Sequence, residues 1–447
     1  MNTFIPTNEQ RVFIDSVLKL IDEKKGMMAL NAPGGTGKTA VIKHIRSILK
    51  DKNIVVLAPT HKACTLFDNR ATTIHKFFNA EKDINDDGEI QFYFQNVNTD
   101  GTDLVITDES SMVSEAMFES FKNLSLQVPI LFCGDEKQIP PVDEDSSIVF
   151  QELKCHTFTK NMRSRDSLSN HWLKKFREAI DNEVIIRVEK VKKEVVYESF
   201  RNNEDSVVLA WTNRQVGFWN NNIRRNLYLH DNKEVLEKFY PNERLVFSGY
   251  RNTYLQKEIL ELPFFQNSNL KVNFNLTNGS DKHVTYYSSD IFSIRTIINK
   301  GIFIPFYRCQ HQTDADKLKK CSKCHTKGHN SLGHLINFYV IEDNDGITWL
   351  KAFDKDQELV NNILLEFKNC CKQMKNKQLW KEYYGIKEII NPDINYIYSS
   401  TVHKAQGSQW KTVFVDIDNL RFCRDHSLSS RLQYTAVSRM IDEVLFV

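Results

Sequence analysis

The 447 residues predict an α/β protein whose parallel sheets gather chemistry at strand ends, and three segments carry that expectation. In the first, the apolar run Met27, Met28, Ala29 and Leu30 meets the glycine-rich stretch NAPGGTGKT at 31–39, followed by Val41, Ile45 and Ile48 at helical spacing. The second is LVITDESSM at 104–112, a strand that ends in adjacent acids. The third runs from Ile130 through Leu131, Phe132 and Cys133 into GDEKQIPPV at 134–142. Open α/β sheets bind ligands at the carboxyl ends of their strands, so three polar strand ends in succession read as one site.

Strand, glycine loop and helix in that order form a phosphate cradle. Backbone N–H groups of Gly34, Gly35, Thr36 and Gly37 and the positive end of the helix dipole face an anion. Lys38 then reaches the β and γ phosphates and Thr39 holds Mg²⁺. The pattern GxxxxGK[ST] asks for glycine at 32, where this chain has Ala32; Gly34, Gly35 and Gly37 keep the permissive angles where the loop turns tightest. Taken alone, the loop also reads as a glycine turn capping a helix. Asp108 is placed to hold Mg²⁺ through water, and Glu109 to orient and deprotonate an attacking water. By themselves the two acids would equally suit a helix N-terminus. Gln138 is positioned to hydrogen-bond the γ phosphate and report its presence. Phosphate loop, acids and sensor follow the order of a RecA-like ATPase core.

Composition sets the class. With 41% hydrophobic and 26% charged residues and a formal charge of +2, the chain is an ordinary globular protein of two to four domains, and any basic groove is local. The polar N-terminus MNTFIPTNEQR is unlike a signal peptide and no run of 18 apolar residues exists, so an intracellular, soluble protein is expected, in the cytoplasm or at a virus replication site. Nine cysteines in such a chain suggest thiols or a metal site rather than disulfides.

A wider set of motifs carries a family resemblance. APTHKA (58–63), TIHKF (73–77), DESSM (108–112), GDEKQIPPV (134–142), TVHKAQG (401–407) and YTAVSR (434–439) resemble the ordered motifs of superfamily 1 DNA helicases. The resemblance is nearest to Dda and RecD-type members of the 1B group, which move 5′ to 3′ on single strands. It implies two tandem RecA-like domains, at 1–160 and at 161–245 with 396–447, hydrolysing ATP with Mg²⁺. Thr7-Asn8-Glu9-Gln10 resembles the adenine-reading motif, which makes Gln10 the base contact. FTKNMR at 158–163 is similar to the family's LTxxxR with Phe158 for leucine, so Arg163 and Arg439 are the implied arginines on the γ phosphate. Thr60, His61, Lys62, Thr73, His75 and Lys76 from the first domain suit phosphate and sugar contacts with single-stranded DNA. Thr401, His403 and Lys404 do so from the second, with Trp211 and Asn213 at the polar end of the strand VVLAWTN. Gln406 and Gly407 are expected between the DNA groups and the nucleotide, with Gly407 at the nucleotide.

Two insertions complete the reading. Asp-Asp-Gly followed by alternating apolar residues predicts a β-hairpin at 79–103. In Dda-like relatives a hairpin here is a strand-separating pin, so Phe92, Tyr93 and Phe94 either stack on the junction base pair or pack the hairpin on the core. The interval 246–395 matches the position of an SH3-like β-barrel, and EFKNCCKQMKNKQLWKEYYG within it reads as a charged helix bracing the barrel against the pin. Within 308–329, Cys309, His311, Cys321 and Cys324 make a tetrahedral Zn²⁺ set, with His325 or His329 as alternates; an exposed polar loop is the other reading. Forked duplex DNA and replication or recombination proteins are the expected partners of a monomer that does not engage membrane. A viral RNA helicase of the same superfamily and a nucleotide-gated DNA clamp that does not unwind are the alternatives.

Overall fold

The protein is described by a computed structural model covering residues 4–67, 71–85, 87–95, 97–141, 144–162, 168–202, 205–229, 237–247, 251–252, 285–286, 291–306, 332–343, 348–375 and 377–447. Arg163 and the zinc candidates Cys309, His311, Cys321 and Cys324, with His325 and His329, lie outside the described residues. Among the described residues, no group of three or more His, Cys, Asp and Glu is placed to hold a metal. No described helix is long and apolar enough to cross a membrane.

A six-stranded, all-parallel sheet runs in the order Ala71–Thr73, Ile54–Ala58, Leu104–Thr107, Ile130–Gly134, Met27–Asn31 and Cys155–Thr157. Its strands are apolar on both sides because both faces are covered. Leu30, Ile54, Val56, Leu104, Ile106, Leu131 and Cys133 meet Phe13, Val17, Val41 and Ile45 on one face. Ala29, Leu57, Val105, Ile130 and Phe132 alternate with them and meet Phe78, Phe118 and Phe121 on the other. Asn31 is in register with Gly134 on the adjacent strand, and Thr107 with Phe132 on the next. The glycine loop, the acid pair and the sensor loop therefore leave the sheet side by side.

A second parallel sheet has the order Ser399–Thr401, Ser206–Ala210, Trp410–Val415 and Met440–Phe446. One strand comes from the middle of the chain and three from its end. Both sheets belong to one compact unit, Met1–Glu81, Phe94–Leu236 and Ile397–Val447, while Lys82–Tyr93 and Glu237–Tyr396 form another.

The second unit holds a five-stranded antiparallel sheet, Thr348–Ala352, Leu332–Asp343, Ile291–Phe306, Arg244–Phe247 and Ile394–Tyr396. The stretch read as one charged helix is two, Asp354–Met374 and Lys377–Ile390. Lys375 breaks it in the left-handed region at φ 44°, donating its N–H to Cys371 O. Glu81–Ile84 and Ile90–Tyr93 pair as a two-stranded sheet. Ile84 joins Trp380, Tyr383 and Ile386 in one apolar cluster. Tyr384 donates its hydroxyl to Gly88 O at 2.9 Å, and Lys377 pairs with Asp83. Gly88 sits at φ +83°, and a Cβ there would lie 2.3 Å from the Trp380 ring, so glycine alone fits the turn. Gly88→Ala is expected to undock this turn at a cost of about 1–3 kcal/mol. The readout is faster proteolytic cleavage within 81–93; a cleavage rate equal to wild type would contradict it.

Candidate nucleotide site and nucleic-acid interface

The helix Lys38–Ile48 begins directly after Gly37, whose φ of 87° no side chain adopts cheaply, and among the described residues no side chain caps it. Its first N–H groups and dipole remain directed at an anion. Thr36 donates its hydroxyl to Pro33 O at 2.8 Å, so it shapes the loop and offers a ligand its backbone. Ala32 is 2% exposed and packs among Phe13, Leu30 and Val41, its N–H bonded to Gly134 O at 2.7 Å. That position faces the core, which is why alanine serves there.

Gln10 closes the loop from outside. Its Oε1 accepts from Thr7 N at 2.9 Å in the capping box of Asn8–Glu23, and its Nε2 donates to Thr36 O at 3.2 Å. One N–H and one lone pair of the amide are left over. Beside it, Met162 N donates to Gly35 O at 2.7 Å, so the segment 158–162 meets the glycine loop at Met162. Phe158 is buried at 1%, filling the position where the motif expects leucine.

Charge concentrates behind the loop. Lys38 Nζ lies 2.8 Å from Asp108 Oδ1 and 3.8 Å from Glu109 Oε2. Arg439, only 3% exposed, arrives from the second sheet with Nη1 3.5 Å from Glu109 Oε1 and Nη2 donating to Gln138 Oε1 at 2.6 Å. Burial pushes the Asp108 carboxyl up and Glu109 adds to this, while Lys38 opposes it. Burial also works upward on Glu109, but Lys38 and Arg439 outweigh it and hold that carboxyl below the usual range. Burial likewise disfavours the Lys38 ammonium, and the two acids keep it charged. Glu109 has φ 51°, a left-handed conformation that costs a non-glycine residue about 1–3 kcal/mol and that clusters at functional sites. Thr107 Oγ1 and Ser111 Oγ are buried without a hydrogen-bond partner among the described residues. With Thr39 in the first helical turn, this is a set of hard oxygen donors that fits Mg²⁺.

The expected DNA residues divide. Gly407, at φ +76°, is packed so that a Cβ would lie 3.0 Å from both Ala63 Cβ and Thr60 Oγ1. It thus joins APTHKA to TVHKAQG rather than lining the glycine loop. Gln406 donates to Ile139 O at 3.2 Å, beside the sensor. Lys62 Nζ stands 4.7 Å over the Trp410 ring. His61 opens the short helix His61–Cys64. Thr73 caps Ile74–Phe77 by accepting from Lys76 N, and exposed Lys76 sits on that helix. His75 and His403 are half-buried, and burial lowers both. Thr401 Oγ1 accepts from Lys404 N. Trp211 packs on the second sheet's core with its N–H bonded to Asn419, and Asn213 is exposed at the start of Asn213–Tyr228. Of the hairpin aromatics, Phe92 and Tyr93 are exposed at 46% and 55%. Phe94 instead packs edge-on against Phe78 and beside His75, anchoring the chain to the first sheet's core.

Several residues lacked any assignment from sequence. Asp135 is fully buried, paired with Arg177 and accepting from Tyr434 Oη at 2.5 Å. Arg431 Nη1 donates to Glu136 O and Gln138 O at 2.5 and 3.1 Å, and Ile139 N donates to Thr435 Oγ1 at 3.1 Å. Asp135 stood within GDEKQ and Tyr434 within YTAVSR, which was their signal; Arg177 belongs to no motif.

Comparison with known proteins adds the following. The AAA domain family matches residues 19–144, and the UvrD-like helicase C-terminal domain family matches 396–447. An uncharacterized protein of Acanthamoeba polyphaga mimivirus is 24% identical, covering 92% of this chain and 93% of its own. The ATP-dependent DNA helicase Dda of Enterobacteria phage T4 is 22% identical over 99% of each chain. A structure described as DNA unwinding at forked dsDNA by two coordinating Pif1 helicases gives a TM-score of 0.49 at 14% identity, over 99% of this chain and 92% of that one. A Bacteroides Pif1 helicase solved with ADP-AlF3 and ssDNA gives 0.48 at 13%, with the same coverage.

Lys38→Met leaves two carboxylates buried without their shared cation, an expected loss of about 3–5 kcal/mol at pH 7. A raised carboxyl favours its protonated form in the folded state, so the loss should shrink as pH falls and Asp108 takes up a proton. Thermal midpoints of both proteins across pH 5–8 check this; a constant difference contradicts it.

Proposed function

We propose that this chain, which matches the AAA domain and UvrD-like helicase C-terminal domain families and aligns end to end with Dda, is a superfamily 1B helicase of the Dda type that translocates 5′ to 3′ on single-stranded DNA and unwinds duplex DNA, driven by ATP. One observation carries the reading: Arg439 leaves the second sheet to touch both Glu109 and Gln138, so catalytic base, sensor and arginine meet only when the two sheets are apposed.

The loop Gly34 to Gly37 and the uncapped helix N-terminus hold the triphosphate, and Lys38 turns from Asp108 toward the β and γ phosphates. Gln10 offers its remaining N–H and lone pair to the adenine. Thr39 and Asp108 would hold Mg²⁺, which supplies charge neutralisation at the phosphates when bound. Glu109, kept ionised by Lys38 and Arg439, accepts a proton from the attacking water. Arg439, with Arg163 from the adjoining segment, stabilises charge developing on the γ phosphate.

Hydrolysis is coupled to DNA through short contacts. Gln138 bears on Arg439, its neighbour Ile139 on Gln406, and Gly407 on Thr60. Thr60, His61, Lys62, Thr73, His75 and Lys76 grip the backbone from one side and Thr401, His403 and Lys404 from the other. Trp211 and Asn213 extend that face. Gly88, docked on Trp380 and Tyr384, anchors the hairpin whose exposed Phe92 and Tyr93 serve as a strand-separating pin. In this reading the five-stranded antiparallel sheet belongs to an SH3-like domain that guides the strand.

Strand displacement on forks with a single 5′ or 3′ tail tests the reading, with Lys38→Ala as the inactive control. Displacement from the 5′ tail alone is expected; displacement only from the 3′ tail, or ATPase stimulation by RNA alone, contradicts it. Arg439→Ala is expected to lower kcat for ATP by about 10³-fold or more. Steady-state hydrolysis measures this, and a change below tenfold would remove Arg439 from the catalytic set.

A further inference from the structure

The helix His426–Val437 and the residues after it bury a polar stripe. Arg431, Tyr434, Thr435 and Ser438 fall at i, i+3, i+4 and i+7, the spacing of one helix face. Tyr434, Thr435 and Ser438 are 1%, 0% and 3% exposed. A buried helix face is ordinarily apolar, because each buried polar group needs a partner. For Arg431, Tyr434 and Thr435 the partners come from the sensor loop of the other sheet, while Ser438 donates to Thr435 O at 2.7 Å. Tyr434 Oη donates to Asp135 Oδ2 at 2.5 Å, Thr435 Oγ1 accepts from Ile139 N at 3.1 Å, and Arg431 donates to Glu136 O and Gln138 O. Ser438 lies where a Cβ on Gly34 of the phosphate loop would touch it at 3.5 Å.

A third element locks the pairing. Arg177, from the helix Leu168–Asn182, pairs with Asp135 Oδ1 and donates to Tyr434 Oη at 3.2 Å. Asp135 Oδ1 also accepts from Lys137 N at 3.2 Å. Both carboxylate oxygens of a fully buried aspartate are thus engaged, one by the first sheet's own loop and a neighbouring helix, the other by the arginine-bearing segment. Arg439 follows Tyr434 by five residues and takes its aim from the same segment, donating Nε to Thr435 O at 3.2 Å.

From this geometry we propose that Asp135, Tyr434 and Arg177 are positioning residues: they fix the register between the sensor loop and the segment carrying Arg439, so that one guanidinium reaches Glu109 and Gln138 together. The proposal rests on the ATPase reading above. Among the described residues, the three are bonded to one another and to the sensor loop rather than to Lys38, Asp108 or Glu109; they act through Gln138 and Arg439. Because the cluster is internal, its members share one interaction and their removal should be non-additive.

Tyr434→Phe is the test, since it keeps the ring and removes only the hydroxyl. In the full-length protein it is expected to lower kcat for DNA-stimulated ATP hydrolysis by about 10- to 100-fold while KM for ATP changes less than about threefold. On an Arg439→Ala background the same substitution should cost less than about twofold, because the residue it aims is gone. A purely structural role predicts instead an equal loss on both backgrounds. Hydrogen exchange gives a readout independent of catalysis: amides 137–139 should exchange at least about tenfold faster in Tyr434→Phe, with Ile130–Gly134 unchanged. Wild-type kcat, equal losses on both backgrounds, or unaltered exchange each overturn the proposal. Absence of ATP hydrolysis by the intact protein would overturn the ATPase reading instead, and exchange at 137–139 would then decide the positioning role alone.

Discussion

The site depends on keeping four charges in a place with almost no water. Asp108 and Glu109 are 1% and 8% exposed and Arg439 3%, with Lys38 between the two acids. Ionised groups removed from water to this extent persist only when opposite charge and hydrogen bonds replace what hydration supplied. Lys38 is delivered by the glycine loop, the acids by a neighbouring strand end, and Arg439 by the other sheet. The adjacency of the strands Leu104–Thr107, Ile130–Gly134 and Met27–Asn31, and the return of the chain from residue 399 to complete the second sheet, meet that electrostatic requirement.

The same requirement ties the phosphate loop and sensor to the segments APTHKA and TVHKAQG. Arg439 is held by Gln138, the loop of Gln138 by Arg431, Thr435 and Gln406, and Gly407 lies against Thr60. Lys62 over Trp410 adds a cation–π contact between the same two sheets, worth about 0.5–2 kcal/mol in such settings. Every link is a short contact between groups with defined partners, so a shift at one end has few ways to dissipate.

Particular residues show what could be read in advance. The apolar strands and their polar ends were legible because a strand covered on both faces must be apolar along its whole length, and the chemistry can only begin where it stops. Ala32 was compatible with the loop for a reason visible only in three dimensions, its methyl facing Phe13 and Val41. Lys375 breaks what the charge pattern 366–385 read as one helix, because a left-handed residue satisfies Cys371 O locally and the apolar faces of the two resulting helices both reach the cluster around Trp380. Phe94 and Tyr93 are adjacent aromatics with opposite fates, one against Phe78 and one in solvent, because the strand Ile90–Tyr93 ends at Tyr93 and Phe94 returns the chain to the first sheet's core.

By itself, the sequence determined the α/β class, the order of phosphate loop, acids and sensor, and the family motifs that extend to YTAVSR. Those features are local: each is written within a few residues of the strand end or helix start that expresses it. Tertiary structure alone decided the placement of Gly407 against Thr60, the engagement of Asp135 by Arg177 and Tyr434, and the reach of Arg439 to Gln138. The last two close contacts across 299 and 301 residues between Asp135 and Tyr434 and between Gln138 and Arg439. No local pattern encodes such a pairing, because what selects it is the cost of leaving a buried charge or hydroxyl without a partner, and that cost exists only once the chain has folded around it.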